Sequence, residues 1–209
     1  MPARPHSISF IPRNPTAYLA PPPATLSNSK DHLRPTARHY DQAPERTRQA
    51  KVIQSWDTAA KDGAQNDWSV CTTWLVIDGC YYLLDLIRGR FEYHVLRNIA
   101  IDAAKHYDPD EILIEDASTG VALAQELSRL GQNYVNPIPV DRDKQGRLYI
   151  QRAKFAAGHV FFLKDAPFLA ELEAELLTFP QGRTDDQVDS ISQALAYEAS
   201  GYDSSLSWV

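Results

Sequence analysis

Cysteine is scarce in this sequence, and long apolar runs are missing. Only Cys71 and Cys80 occur, in what read as adjacent strands rather than in a metal-ligand or redox spacing. The sequence therefore predicts no disulfide framework and favours a reducing, cytoplasmic setting. No stretch approaches the ~20 consecutive apolar residues of a membrane span, and the first residues lack a signal-peptide core. These absences predict an intracellular protein without a membrane partner.

Glycine is absent from residues 1–50, which instead hold 9 of the 14 prolines. The same segment has 7 basic and 3 acidic side chains, whereas residues 51–209 have 14 basic and 24 acidic ones. We expect 1–50 to be a largely extended, Pro-rich basic linker or arm, either solvated or grazing a nucleic-acid backbone. Residues 51–200 then form the folded domain, and residues 201–209 a tail.

The hydrophobic pattern after Lys51 predicts an α/β fold. Three β-prone runs, the second and third joined by an Asp78-Gly79 turn, predict an antiparallel meander. Alternating helical and strand patterns follow, which predicts parallel strands and flanking helices. The expected strands are 52–57, 68–77, 80–87, 111–115, 134–140 and 160–163, and the expected helices are 92–106, 118–130, 144–157, 166–177 and 185–197.

Carboxylates from three separate segments are predicted to meet at one edge of this sheet. Asp57 ends the first strand, Glu115 ends a later strand, and Asp185 and Asp186 open the last helix. Their mutual repulsion is costly unless a divalent cation neutralises it, and carboxylate oxygens suit Mg²⁺ or Mn²⁺. Singly, Asp185 and Asp186 also fit helix capping, and Asp57 also fits a strand-end turn. Jointly, the acids favour a metal site.

Four short motifs resemble, in order, the C-terminal nuclease domain of the large terminase subunit of tailed bacteriophages, an RNase H-like fold. The motifs are 55–59 (SWDTA) with 66–69 (NDWS), 112–120 (ILIEDASTG), Asp143-Lys144 with Arg152-Ala153, and Phe179-Pro180 leading to 185–190 (DDQVDS). The resemblance implies an RNase H-like mixed sheet of about five strands, an antiparallel meander and then parallel strands, flanked by helices. It covers about residues 50–200.

The resemblance also implies an activity: a metal-dependent endonuclease that cuts concatemeric phage DNA by two-metal phosphodiester hydrolysis. In that picture Asp57 bridges two Mg²⁺ or Mn²⁺ ions, Glu115 holds one, and Asp186 or its neighbour Asp185 completes the site. The supporting acids are Asp67, Asp116 and Asp189. One departure is Thr184, which stands just before the paired aspartates, where family members often carry a histidine.

The implied partners are double-stranded DNA, the terminase ATPase domain, the small terminase subunit and the portal protein, in the cytoplasm of a host cell. The 209 residues contain no G-x-x-x-x-G-K-[ST] phosphate loop, so the packaging ATPase is not within them. We expect either an excised nuclease domain with its linker or a naturally short phage or prophage product.

Basic side chains for DNA contact are few. Lys144, Arg147 and Lys154 have spacings that fit one helix face, and Arg152 would point elsewhere. They are candidate phosphate contacts or simply an exposed face. Two alternative functions stay open: another RNase H-like nuclease, such as a Holliday-junction resolvase or a hybrid nuclease, and a non-catalytic module that docks on the portal or on terminase.

Overall fold

One mixed β-sheet with helices on both faces organises the chain, and a computed structural model describes residues 37–59, 68–131, 134–139 and 151–199 of it. The strands are β1 (Arg38–Tyr40), β2 (Lys51–Asp57), β3 (Ser69–Ile77), β4 (Cys80–Gly89), β5 (Glu111–Glu115), β6 (Val135–Ile138) and β7 (Val160–Leu163). The helices are α1 (Tyr93–Tyr107), α2 (Ser118–Arg129), α4 (Leu169–Thr178) and α5 (Asp186–Ala199), with α3 being the helical residues 151–156. No helix in these ranges is long and apolar enough to cross a membrane.

The sheet has the order β1-β7-β4-β3-β2-β5-β6. Strands β2, β3 and β4 pair antiparallel, and β5 then pairs parallel with β2, as β6 does with β5. The hairpin turn between β3 and β4 has positive φ at both Asp78 (49°) and Gly79 (75°), which suits the right-handed twist of its strands. The predicted α/β fold, a meander followed by parallel strands, is confirmed.

The resemblance implies about five strands, and the sheet has seven. Strand β7 matches the expected strand 160–163, whereas β1 was not expected. Strand β7 pairs parallel with β4, and β1 pairs parallel with β7 at the sheet edge. Tyr40 of β1 is buried and donates a hydrogen bond of 2.6 Å to the Leu83 carbonyl. The sequence assigns β1 to the arm, so the predicted boundary at residue 51 falls inside the folded body. Three residues are too few to show the alternation that marks a strand.

The two faces of the sheet bury separate apolar clusters. On one face, called the α5 face, the cluster includes Trp74, Leu113, Phe162, Val188 and Leu195. On the opposite face, called the α1 face, Trp56, Cys71 and Ile114 pack against side chains of α1 and α2. Successive residues of a strand point to opposite faces, so the sequence position of each strand residue decides which cluster it joins.

Two predicted elements between residues 134 and 157 match the structure only in part. The expected strand 134–140 is shorter, with β6 ending at Ile138. The expected helix 144–157 is helical at 151–156, and its first half lies outside the described residues.

Candidate metal centre

Asp57 and Glu115 end two neighbouring parallel strands. In the register of β2 and β5, Trp56 is paired with Ile114, so the next residues of each strand, Asp57 and Glu115, follow side by side. Trp56 and Ile114 are fully buried on the α1 face. Because side chains alternate, both carboxylates lie on the α5 face, on strands about 4.8 Å apart. The structure therefore brings these two predicted site residues together, and both are half-buried.

A cation stands in the same row of the sheet. Asp57 is paired with Val70 of β3, and Val70 is paired with Arg88 of β4. Directly opposite residues share a face, so Glu115, Asp57, Val70 and Arg88 form a row across the α5 face. Arg88 is two strands from Asp57, or about 10 Å along the row.

Helix α5 is fixed against this row by buried hydroxyl groups. Ser55 Oγ donates to the Ser190 carbonyl and Ser190 Oγ donates to the Ser55 carbonyl, each at 2.8 Å. Gln193 Nε2 donates to Ser55 Oγ at 3.0 Å. Asp186 lies four residues before Ser190, and side chains four residues apart share one side of a helix. This anchoring presents Asp186 toward the sheet.

Asp186 occupies a half-buried position with an excess of negative charge. Burial raises the pKa of its carboxyl above the ordinary value, and the charges of Asp185 and Glu175 raise it further. A hydrogen bond from its own backbone N–H and the charge of Arg88 oppose that rise. Three carboxylates and one guanidinium leave an uncompensated negative charge, which is a suitable environment for a divalent cation.

The predicted acids thus form two neighbouring pairs, Asp57 with Glu115 and Asp185 with Asp186. Across residues 37–59, 68–131, 134–139 and 151–199, no three His, Cys, Asp or Glu side chains are close enough to hold one metal ion. A metal ion shared by both pairs would require side-chain rotation or a closer approach of α5 to the strand ends.

The N-terminus of α5 is capped by Glu175, which sequence reasoning missed. This carboxylate of α4 is buried, and it accepts hydrogen bonds from the Gln187 backbone N–H at 2.8 Å, from Gln187 Nε2 at 2.7 Å and from Thr184 Oγ1 at 3.0 Å. Its Oε2 lies 3.7 Å from Arg88 Nη2. The sequence contained a signal that Glu175 is buried, because it falls on the apolar stripe formed by Leu172 and Leu176.

The remaining predicted acids are placed differently. Asp67 lies outside the described residues. Asp116 is exposed, and as the residue after Glu115 it lies toward the α1 face, where it borders a groove beside α2. Asp189 is half-buried in the first turn of α5, and its N–H donates to the Asp185 carbonyl at 2.8 Å.

Gly120 sets the position of Glu115. A Cβ built on Gly120 would lie 2.1 Å from the Glu115 carbonyl oxygen and 3.2 Å from Thr58 Oγ1. Only glycine allows the first turn of α2 to approach the end of β5 this closely. The motif 112–120 therefore contains both Glu115 and the glycine that lets α2 pack closely against it.

The predicted DNA contacts are mostly untested by the structure. Lys144 and Arg147 lie outside the described residues, and Arg152 is half-buried on α3. Lys154 faces inward, where its ammonium donates to Tyr81 Oη at 2.5 Å and to the Leu195 carbonyl at 2.6 Å. The interpretation of Lys154 as a phosphate contact is therefore wrong, because its charge ties α3 to α5.

Comparisons with known proteins identify the fold. A large terminase from a thermophilic bacteriophage has a TM-score of 0.58 and 11% identity, covering 79% of this chain and 44% of that one. The large terminase nuclease of thermophilic phage G20c, solved with bound magnesium, has a TM-score of 0.57 and 19% identity over 79% of this chain and 93% of that one. The Thermus phage P74-26 large terminase nuclease domain has a TM-score of 0.55 and 18% identity over 79% and 92%.

This chain thus spans less than half of the first of these large terminases but nearly all of the separate nuclease domains. Comparison with curated proteins yields no significant match. The family model described as the terminase RNaseH-like domain matches residues 54–198, which include both pairs of acids. Since that match covers well over half of the sequence, the chain belongs to the terminase RNaseH-like domain family.

Proposed function

We propose that this protein is a metal-dependent DNA endonuclease of the phage packaging terminase, cutting concatemeric double-stranded DNA. The observation that supports this most is the placement of Asp57 and Glu115. They lie side by side on neighbouring parallel strands, on the face of the sheet that α5 covers. Asp186 is the first residue of that helix. Two half-buried carboxylates side by side have no value for stability alone, because like charges repel one another.

The donor chemistry fits divalent ions. All four candidate ligands, Asp57, Glu115, Asp185 and Asp186, are carboxylates, the hard oxygen donors that Mg²⁺ and Mn²⁺ prefer. The G20c nuclease, which shares the fold, has been solved with bound magnesium, zinc and cobalt. In our proposal Asp57 would be shared by two ions, Glu115 would hold one of them, and Asp186 or Asp185 would complete the set.

When bound, such ions would supply the Lewis-acid chemistry of phosphodiester hydrolysis, leaving a 5′-phosphate and a 3′-hydroxyl. Other residues of the chain hold the elements that carry these four carboxylates in place. Ser55 and Gln193 fix α5, Glu175 caps it, and Gly120 seats β5. Buried hydrogen bonds and close packing therefore fix the backbone of α5 and of the end of β5, from which the candidate ligands project.

The net charge of −6 leaves little general attraction for DNA. We infer that the rest of the packaging machine, namely the terminase ATPase domain, the small subunit and the portal, delivers DNA to this domain. Packaging of phage DNA would place the protein in the host cytoplasm.

The direct test is incubation of supercoiled plasmid with the full chain and Mn²⁺ or Mg²⁺. We expect cutting that is abolished by Asp57→Asn and by Glu115→Gln. Asp102→Asn, an exposed acid on α1, is the matched control and should cut normally. Cutting that survives both site substitutions would contradict the assignment.

Substrate choice separates this proposal from its alternatives. A preference for a four-way junction or an RNA–DNA hybrid over duplex would indicate another RNase H-like nuclease. Calorimetry that shows no divalent-ion binding, together with tight binding to the portal, would indicate a docking module.

A further inference from the structure

Two arginines stack on one tryptophan at the open end of the β3–β4 hairpin. The guanidinium carbon of Arg88 lies 4.2 Å from the centre of the Trp68 ring, and that of Arg90 lies 4.4 Å from it. Trp68 is half-buried and packs partly against the core of the α5 face. Neither arginine was a candidate on sequence grounds.

This stack lies on the same face and edge of the sheet as the proposed metal centre. Ser69 is paired with Gly89 at the end of the hairpin, so Trp68 and Arg90 follow as the next opposed positions. They stand two residues beyond Val70 and Arg88, which belong to the row that contains Asp57. Strand geometry puts Trp68 about 8 Å and Arg90 about 12 Å from Asp57. The distance to Arg90 spans three to four nucleotides at about 3.4 Å of rise per nucleotide.

The two guanidinium groups differ in whether carboxylates neutralise their positive charge. Arg88 is only 10% exposed and is paired with both Glu171 and Glu175. Arg90 is exposed, and within the described ranges it has no carboxylate partner. Stacking occupies the face of a guanidinium and leaves its N–H edge free for an anion. Arg90 therefore offers a cation next to a strongly acidic site.

From this geometry we infer that Arg90, held by Trp68, binds a backbone phosphate of the DNA a few nucleotides from the bond that is cut. The inference rests on the proposed nuclease function. It names the part of the substrate that this edge of the sheet recognises, a backbone phosphate, whose oxygens match the N–H edge of a guanidinium.

The backbone around Arg90 is already fixed. A Cβ built on Gly89 would lie 2.0 Å from the tip of the Phe91 ring, which covers this glycine. Phe91 packs partly against the core of the α1 face. Arg90 thus lies between two chain neighbours that pack closely, and its guanidinium stacks on Trp68, so a phosphate meets a cation that needs little ordering.

The test measures duplex binding without cleavage. A fluorescein-labelled 30-base-pair duplex is titrated with the full chain in EDTA, and fluorescence anisotropy is followed from 25 to 200 mM KCl. For Arg90→Ala we expect Kd to rise about five- to tenfold and the slope of log K against log salt to fall by about 0.9. Arg90→Lys should keep the slope and recover part of the affinity.

Arg129→Ala is the control, because it removes an exposed arginine from α2 on the opposite face; its Kd should stay within twofold. Equal Kd values for wild type and Arg90→Ala, equal losses in both variants, or no binding by wild type at 25 mM KCl would overturn the inference. Plasmid cutting is measured separately. If the wild type cuts plasmid but Arg90→Ala binds duplex with the wild-type Kd, only the phosphate site is rejected. If Arg90→Ala raises Kd but the wild type cuts in no divalent ion, only the nuclease function is rejected.

Discussion

Replacing Glu175 by glutamine removes the negative charge that caps α5 while nearly preserving side-chain volume. The carboxylate is 5% exposed and accepts bonds from one backbone N–H, one amide and one hydroxyl, with Arg88 at 3.7 Å. Glutamine keeps one acceptor, but its amide N–H₂ meets other donors, and Arg88 loses its buried partner. We therefore expect a clear loss of stability.

The magnitude follows from two opposing terms. Removing one partner of a buried ion pair typically costs about 3–5 kcal/mol. The substitution also relieves the repulsion between Glu175 and Asp186, which favours the lower part of that range. We expect a net cost of about 2–4 kcal/mol, or a fall in Tm of about 5–15 °C for a domain of this size.

Glu171→Gln provides the matched control, one helical turn earlier on α4. Glu171 also pairs with Arg88, but its side chain is 68% exposed. An exposed pair contributes about 0–1 kcal/mol, so the control should melt within about 3 °C of wild type.

Urea unfolding followed by circular dichroism measures both variants, and calorimetry with Mn²⁺ reports whether the α5 N-terminus still holds its acids in place. We expect Glu175→Gln to weaken Mn²⁺ binding and Glu171→Gln to leave it unchanged. Equal stabilities of the two variants would refute the capping role that we derive for Glu175.

Three further predictions concern the sheet and its helices. Burial raises the pKa of Asp85, so its protonated form is the more stable one in the fold; its contribution is present below about pH 4 and is lost as the pH rises through the folded pKa. Asp85→Asn should therefore raise Tm at pH 7.5, with a gain that shrinks toward pH 4. Gly120→Ala should destabilise by about 1–3 kcal/mol and weaken Mn²⁺ binding, although alanine normally favours a helix, because its Cβ collides with the Glu115 carbonyl. Ser190→Ala should cost about 1–3 kcal/mol in urea unfolding, because it removes the buried hydrogen bonds of this hydroxyl with the Ser55 carbonyl and with Thr72 Oγ1.

A specific result would contradict each of these three predictions. A Tm gain for Asp85→Asn that is the same at pH 4 and pH 7.5 would show that its charge is not the cause. A stabilised Gly120→Ala would mean that α2 does not need its close approach to β5, and an unchanged Ser190→Ala would mean that packing alone fixes α5.

Much of the fold was predictable because its signals are local. The β-branched and aromatic runs of β3 and β4, with Asp78-Gly79 between them, mark a hairpin within about 20 residues, and the structure confirms it. The family motifs around Asp57 and Glu115 are short and ordered, and they identified the family that the comparisons confirm. Strand β1 was not predictable, because its place depends on β7, a strand far away in the sequence.

The sequence by itself determined which residue types stand at each strand end and helix start, because propensity, periodicity and turn chemistry act over a few neighbours. Only the tertiary structure decided what those residues face. The parallel register of β2 and β5 sets Asp57 beside Glu115, the packing of α4 turns Glu175 onto the end of α5, and the hairpin places Arg88 and Arg90 around Trp68. The same packing turned Lys154 inward. Such pairings join residues that are distant in the chain, and the burial of both sheet faces selects them.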